Sequence, residues 1–410
     1  MSTNTISQKI SYGHTFIPAH YIIPYGHQHI TQADIDAVVA VLQSDFLTQG
    51  EQVLNFEKKL SQYCGAGFGI AVNSATSALH IACLALGLGQ GKEGECDWLW
   101  TSPITFVASS NVGLYCGAKV DFVDIDPVTL NMSVEALEAK LKLAKAENRL
   151  PKIVIPVHLC GEPCNMAKIH ALSQEYGFAI IEDASHAVGG KYADKPIGSC
   201  QYSDITVFSF HPVKIITTAE GGMAVTNDKE LADKMSMLRS HGITRDASLM
   251  THESDGGWYY QQIDLGFNYR MTELQGALGV SQMENLDIFV AKRHQLAKRY
   301  DELLKDLPII LPYRNPSHYS GLHLYPIQVK TESGKTRKQV FDSLRQQHIG
   351  VNVHYIPVHT QPYYQNMGFK LGDFPNAEQY YAGAISLPLY YDLTEEMQDQ
   401  VVNALKTALI

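Results

Sequence analysis

The sequence predicts an α/β fold: a mostly parallel sheet covered by helices in residues 1–271, joined to a smaller α+β unit in residues 272–410. Three observations carry this reading. Short apolar runs without polar alternation recur up to about residue 210, as strands buried on both faces require. Segments with helical spacing separate several of them, the order in which parallel strands are connected. Beyond residue 271 the pattern changes to long helical stretches with a strand-like run among them.

The elements follow in order. "QADIDAVVAVLQS" (32–44) and "VLNFEKKLSQYCG" (53–65) place apolar residues at helical spacing, the second stopped by Gly65, and predict two opening helices. "GIAV" (69–72), "VDFVDI" (120–125), "KIVIPVHL" (152–159), "FAIIED" (178–183) and "ITVFSF" (205–210) predict buried strands. From Thr272, "TELQGALGVSQMENLDIFVAKRHQLAKRYDELLKDL" reads as one long helical pattern; "LHLYPIQV" and "KQVFDSLRQQ" then supply a strand and a helix of the second unit. No repeat, low-complexity tract or Pro/Ser-rich linker separates the two units, so they are expected to pack closely.

Composition narrows the function. A chain of 410 residues, 45% hydrophobic and 18% charged, is ordinary globular protein with a sizeable core. A net charge of -10 argues against nucleic acid or an anionic membrane as the main partner, since both need concentrated basic surface. "MSTNTISQKISYGHTF" has no apolar signal core and no window approaches the roughly 18 apolar residues of a membrane span, so a cytoplasmic protein is expected. The seven cysteines are an odd number in mostly apolar surroundings, and no disulfide framework is expected. His158, Cys160 and Cys164 in "VHLCGEPC" have the look of metal ligands, but zinc needs about four at matched spacings and no second cluster answers them. "GLGQGK" (87–92) lacks the spacing and the following Ser/Thr of a phosphate-binding P-loop.

In a doubly wound sheet, ligands sit beyond the C-terminal ends of the strands. After "GIAV" comes "NSATSALHIACLAL", small and hydroxyl residues opening a helix whose free N–H groups suit a phosphate, although a plain Ser/Thr N-cap reads the same way. After "FAIIE" come Asp183 and His186; an acid there also serves as a helix cap, and a lone histidine also serves as a core residue. After "ITVF" come Ser209 and Lys214, with glycines at 221 and 222. A lysine between apolar segments is costly to bury charged, so it is expected to be paired, neutral or covalently committed. The combination matches pyridoxal phosphate, which needs an amine for its aldehyde, a carboxylate for its ring nitrogen and neutral donors for its phosphate. Phe106, after the proline turn in "TSPITFVASS", supplies an aromatic face, though alone it reads as core.

Four blocks in order, "PYGHQHITQADIDAVVAVLQSDFLTQG", "IIEDASHAVGGKY", "FSFHPVKIITTAEGGMAVTND" and "GFNYRMTELQGALG", resemble the DegT-type sugar-nucleotide aminotransferases over nearly the whole chain. The resemblance implies fold type I, with a central, mostly parallel seven-stranded sheet and a smaller C-terminal α+β domain. It implies Lys214 as the Schiff-base lysine and proton shuttle, Asp183 on the pyridine nitrogen, and His186 near the ring hydroxyl where many members carry Gln. It also implies Thr76 and Ser209 on the phosphate, Phe106 stacking on the ring, and Asn268 reaching the phosphate bound by the neighbouring subunit of a homodimer. Ala75 stands where the family commonly has Gly. The cofactor would alternate between its pyridoxal and pyridoxamine forms.

A narrower resemblance, in "VNVHYIPVHTQPYYQNMGF", "SHGITRD" and "FSFHPVK", is to the branch of pseudaminic acid biosynthesis that aminates a UDP-linked 4-keto-6-deoxy-L-sugar with glutamate. It makes His354 and Tyr355 candidates for sugar-nucleotide contact, with core packing an equal reading of the tyrosine. Arg239 and Arg245 in "LRSHGITRD" are candidate cations for the diphosphate. A different nucleotide-linked keto sugar, amination at the 3-position, and a cofactor-free regulatory protein on the same scaffold remain alternatives.

Overall fold

The computed structural model of the protein describes residues 23–91 and 96–410. The N-terminal run read above for a signal core, and Lys92 at the end of "GLGQGK", lie outside the described residues. Seven strands form the main sheet: β1 (Phe68–Val72), β2 (Trp98–Thr101), β3 (Lys119–Phe122), β4 (Ile153–Ile155), β5 (Ala179–Asp183), β6 (Ile205–Ser209) and β7 (Gly222–Thr226). Their spatial order is β1-β7-β6-β5-β4-β2-β3, and only β7 runs antiparallel to its neighbours. A strand antiparallel to both its neighbours can be reached by a short return, so the chain leaves β6 and comes back along β7 at the same sheet edge.

Helices cover both faces: α1 (Gln32–Leu42), α2 (Glu51–Cys64), α3 (Ala75–Ala85), α4 (Ala108–Tyr115), α5 (Val134–Ala146), α6 (Met166–Tyr176), α7 (Lys229–Arg239) and α8 (Glu273–Met283). The period-2 geometry of a strand sorts the core. Along β6, Ile205 and Val207 join Leu79, Val112 and Met235 on the face covered by α3, α4 and α7. Phe208 points the other way, with Phe56, Met223 and Leu286. Burying a side chain of that size contributes about 1.5–3 kcal/mol, which is why unalternated apolar runs mark this sheet.

The structure departs from the sequence reading at the long helix and at two strands of the main sheet. The long helix expected from Thr272 is two helices, α8 and α9 (Leu286–Leu304), meeting at Glu284 and Asn285. Asn285 takes φ -103° and ψ 0° as the N-cap residue of α9, a position Asn favours. Two strands were not read as such: β2, "WLWT", four residues that are too few to show a period, pairs in parallel with β3 and β4, and β7, "GMAVT", pairs antiparallel with β1 and β6.

The second hydrophobic centre gathers Leu296, Tyr300 and Leu304 of α9 with Tyr325, Val340, Leu387 and Leu405, around a small antiparallel sheet of β8 (Ile309–Ile310), β9 (Tyr325–Val329) and β10 (Ala384–Leu387). Its helices include α10 (Arg337–Gln346) and α11 (Glu395–Leu409). The two linking helices divide their packing. Met283, Leu286, Phe289 and Val290 belong to the core against the main sheet, and Leu296, Ala297, Tyr300 and Leu304 of α9 to the second centre. No helix among the described residues is long and apolar enough to cross a membrane.

Candidate active site

The register of the sheet assembles the site. Val72 at the end of β1 lies opposite Gly222 of β7, and Gly222 lies opposite Ser209 of β6. Thus Ser209 and the start of α3 share one edge. Ser74 caps α3, its hydroxyl accepting the Ser77 N–H at 3.1 Å, which leaves the N–H groups of Ala75 and Thr76 at the free N-terminal turn. Gly222 is needed for this approach: a Cβ there would stand 2.4 Å from the Ala75 nitrogen. The N-cap and phosphate-site readings of this segment are therefore compatible: Ser74 caps while Ala75 and Thr76 stay available.

One strand over, Asp183 ends β5 beside Val207 of β6. It is buried, and its carboxylate is held from both sides. Ser109 Oγ donates to Oδ2 at 2.7 Å, while Ser185 donates to Oδ1 through its hydroxyl at 2.6 Å and its N–H at 3.1 Å. Thr105 Oγ1 shares a hydrogen bond of 2.7 Å with Ser109 Oγ. Neither Ser109 nor Thr105 was identified from the sequence. Their signal is faint, two hydroxyls four residues apart entering α4, and only the fold brings them across 74 residues to Asp183.

Lys214 lies in the return between β6 and β7, where its N–H donates to the His211 carbonyl at 2.9 Å. Phe210 and Gly221 close the return by a backbone bond of 2.9 Å, and the Thr217 N–H reaches Gln282 Oε1 on α8 at 3.3 Å. Burial pushes the Lys214 amine down to about 8 from the usual 10.5, with Asp183 and Cys160 opposing the shift. The lysine is therefore partly unprotonated near neutral pH, the state in which an amine attacks an aldehyde.

Three histidines surround this lysine. His186 is buried, with its ring 4.6 Å from that of His323, which is also buried. Both are held well below the usual histidine range by burial first and the Lys214 charge next. His354 is lowered to about 3 by burial and Lys214, and its Nδ1 meets Ser386 Oγ at 2.8 Å. Tyr355 places its hydroxyl 3.0 Å from His186 Nε2 and its ring 6.2 Å from that of Phe106, which is 55% exposed. His323 was not singled out from the sequence.

The remaining candidates lie apart from this group. Asn268 is exposed on a segment tied to the start of α3, where the Asn73 N–H donates to the Tyr269 carbonyl at 2.9 Å. Arg245 is exposed on the short strand Ile243–Thr244 side of its loop. Arg239 corrects an expectation. Its Nη1 is taken by Glu57 in an ion pair and by the Ala71 carbonyl at 2.8 Å, so it ties α7 to α2 and β1 instead of offering a free cation. His158 likewise has a structural partnership: Nε2 meets Glu182 Oε2 at 2.8 Å and Nδ1 accepts the Cys164 N–H at 3.1 Å. No group of three or more His, Cys, Asp or Glu among the described residues is arranged to hold a metal ion.

A primary amine, a buried carboxylate and a helix N-terminus kept open by a glycine fit the aldehyde, ring nitrogen and phosphate of pyridoxal phosphate. Fold and site together define a pyridoxal-phosphate-dependent aminotransferase of fold type I. The chain belongs to the DegT/DnrJ/EryC1/StrS aminotransferase family, whose sequence profile matches residues 28–406. It is 39% identical to the spore coat polysaccharide biosynthesis protein SpsC of Bacillus subtilis, over 94% of this chain and 97% of that one. It is 36% identical to the UDP-4-amino-4,6-dideoxy-N-acetyl-beta-L-altrosamine transaminase of Campylobacter jejuni, over 91% of this chain and 93% of that one. Among solved structures, Helicobacter pylori PseC, an aminotransferase of pseudaminic acid biosynthesis, superposes with a TM-score of 0.85 at 31% identity, covering 94% of this chain and 99% of that one. The protein is a pyridoxal-phosphate-dependent sugar aminotransferase.

Proposed function

We propose that the protein transfers the amino group of L-glutamate to the 4-keto carbon of a UDP-linked 4-keto-6-deoxy-N-acetyl-hexose, as a cytoplasmic homodimer with composite sites. The similarity to the Campylobacter protein, named for transamination of UDP-4-amino-4,6-dideoxy-N-acetyl-beta-L-altrosamine, and to the Helicobacter aminotransferase of pseudaminic acid biosynthesis supports the substrate. The lysine return supports the catalytic assignment. The comparable identity to SpsC favours a second reading, an aminotransferase on another nucleotide-linked keto sugar.

Pyridoxal phosphate supplies an aldehyde to carry the amine and a ring that withdraws electrons from the carbon losing its proton. The rest is done by this chain. Lys214 would hold the cofactor through its Nζ and, when that amine is free, would move a proton there, a task suited to an amine lowered to about 8. Asp183, fixed by Ser109 and Ser185, keeps a negative charge where the ring nitrogen needs a proton. Thr76, Ala75 and Ser209 take the phosphate, and Phe106 packs on the ring. Asn268 reaches the partner subunit's phosphate, Arg245 the diphosphate, and His354 and Tyr355 the sugar. Residues 1–271 carry the cofactor site, and residues 272–410 form the linking helices and the smaller domain.

The test is mass spectrometry of products from a panel of keto-sugar nucleotides and glutamate. UDP-2-acetamido-2,6-dideoxy-β-L-arabino-hex-4-ulose is expected to be aminated much faster than its D-xylo isomer, because inverting the ring changes which face meets the amine. Equal kcat/KM for the two isomers removes the pathway assignment and leaves the family standing.

A further inference from the structure

The hydrogen bonds around His186 assign every proton in that corner of the site but one. The Cys160 backbone N–H can only donate, and it points at His186 Nδ1 at 3.2 Å. Nδ1 is therefore the unprotonated nitrogen, and the neutral ring carries its proton on Nε2. That proton faces the Tyr355 hydroxyl at 3.0 Å, so the tyrosine oxygen accepts. The tyrosine keeps its own proton, because burial first, and then Cys160, Tyr25 and Asp183, hold its phenol well above its usual pKa. Among the described residues, His186 is the hydrogen-bond partner of this hydroxyl.

The backbone shows how this relay is built. Cys160 adopts φ 59° and ψ 2°, a left-handed conformation uncommon for a side-chain-bearing residue. The next residue, Gly161, has no room for a Cβ, which would lie 2.5 Å from the Leu322 nitrogen and 2.8 Å from the His186 carbonyl. The loop is pressed between the His186 segment and the entry to β9, and this turns the Cys160 N–H onto the imidazole. The two rings pack at 5.9 Å with planes only 20° apart, so the histidine fixes the plane of the tyrosine as well as its oxygen.

We propose that Tyr355, and not His186, is the hydrogen-bond donor offered to the oxygen on the bound cofactor's ring, with His186 a positioning residue that the Cys160 backbone locks in one tautomer. This rests on the cofactor lying over Phe106 with Asp183 at its nitrogen. A histidine with both nitrogens committed has no proton left for the ring oxygen, whereas the tyrosine beside it has one. The relay also explains a tolerance: glutamine at position 186 can accept from the Cys160 N–H through its oxygen and donate to Tyr355 through its amide nitrogen.

Two measurements test this. In cofactor-free protein labelled with 15N at histidine, His186 is expected to show a protonated Nε2 and bare Nδ1 from pH 6 to 9, in wild type and in Tyr355→Phe. A His186 that titrates in that range, or carries its proton on Nδ1, overturns the relay. In the cofactor-loaded protein, the acid–base midpoint of the visible band is expected to rise by about one pH unit in Tyr355→Phe, the size of a lost hydrogen bond to a charged oxygen. His186→Gln should hold the wild-type midpoint, and His186→Leu should move it in the same direction as Tyr355→Phe. A midpoint that follows substitutions at His186, Gln included, but ignores Tyr355→Phe overturns the proposal. Absence of a visible band in wild type would instead refute the lysine assignment, and the tautomer measurement is independent of it. Circular dichroism and melting of each variant separate misfolding from both.

Discussion

Glu182 and Asp183 are neighbours on one strand, both buried, both accepting three hydrogen bonds, and they face opposite sides of the sheet. Glu182 receives His158, Ser203 and Thr206, and the far nitrogen of His158 is in turn closed by the Cys164 N–H. Asp183 receives Ser109 and Ser185 and looks toward the Lys214 amine, whose protonation it favours. A buried, well-bonded carboxylate is thus not a signature of chemistry. What separates the two is whether the network ends on protein or opens onto a group with no fixed partner.

The largest expected effect tests the open side. Lys214→Ala should lower turnover by about 10³-fold or more while the protein still binds pyridoxal phosphate without a covalent link, read by activity and by absorption after dialysis. Unaltered turnover would refute the assignment. Asp183→Asn comes next, with a loss of about 10²-fold in kcat and a fold that melts as wild type does. Glu182→Ala should reverse that pattern. Three buried donors lose their acceptor, costing about 3 kcal/mol in urea unfolding, while kcat of the folded fraction stays within a few-fold. If both carboxylate variants lose activity without losing stability, the comparison fails.

A pH experiment sharpens it. The rate at which cofactor-free protein captures pyridoxal phosphate should rise with pH to a midpoint near 8, not near 10.5. In Asp183→Asn the midpoint should fall, because the lost carboxylate favoured the charged lysine. The stability sign follows from the same shift. Between about 8 and 10.5 the unfolded chain binds more protons at this lysine than the folded one, so its contribution makes folding more favourable as pH rises through that window. The smallest effect concerns Arg239→Ala, which should lower stability through the unpaired Glu57 yet leave KM for the nucleotide sugar within about twofold. A large rise in KM would restore Arg239 as a ligand contact.

The strands that carry Asp183 and Ser209 were legible because burial on both faces writes an unbroken apolar run, and a polar residue at its end stands out. The Lys214 position was legible for the same reason. Pairings set by distant chain were not. Nothing local to "LRSHG" reveals that Arg239 meets Glu57 across 182 residues. Nothing in "HLCGEP" reveals that Cys160 turns left-handed, since that follows from Gly161 lying against Leu322 and His186. The resemblance placed His186 beside the ring hydroxyl, but the direction of its hydrogen bonds is fixed by a backbone N–H and a tyrosine far along the chain.

The return that carries Lys214 begins and ends on hydrogen-bonded neighbours, with Ser209 opposite Gly222 and Phe210 bonded to Gly221. Mechanically it is a closed ring clamped at one point of a rigid plate, with Gln282 as a side stay. A pull on the lysine is shared by two strands at once, because β6 and β7 are paired where the return leaves and rejoins the sheet. The amine can swing on its own flexible stem while the chain beneath it, bonded at Phe210–Gly221 and Thr217–Gln282, stays put.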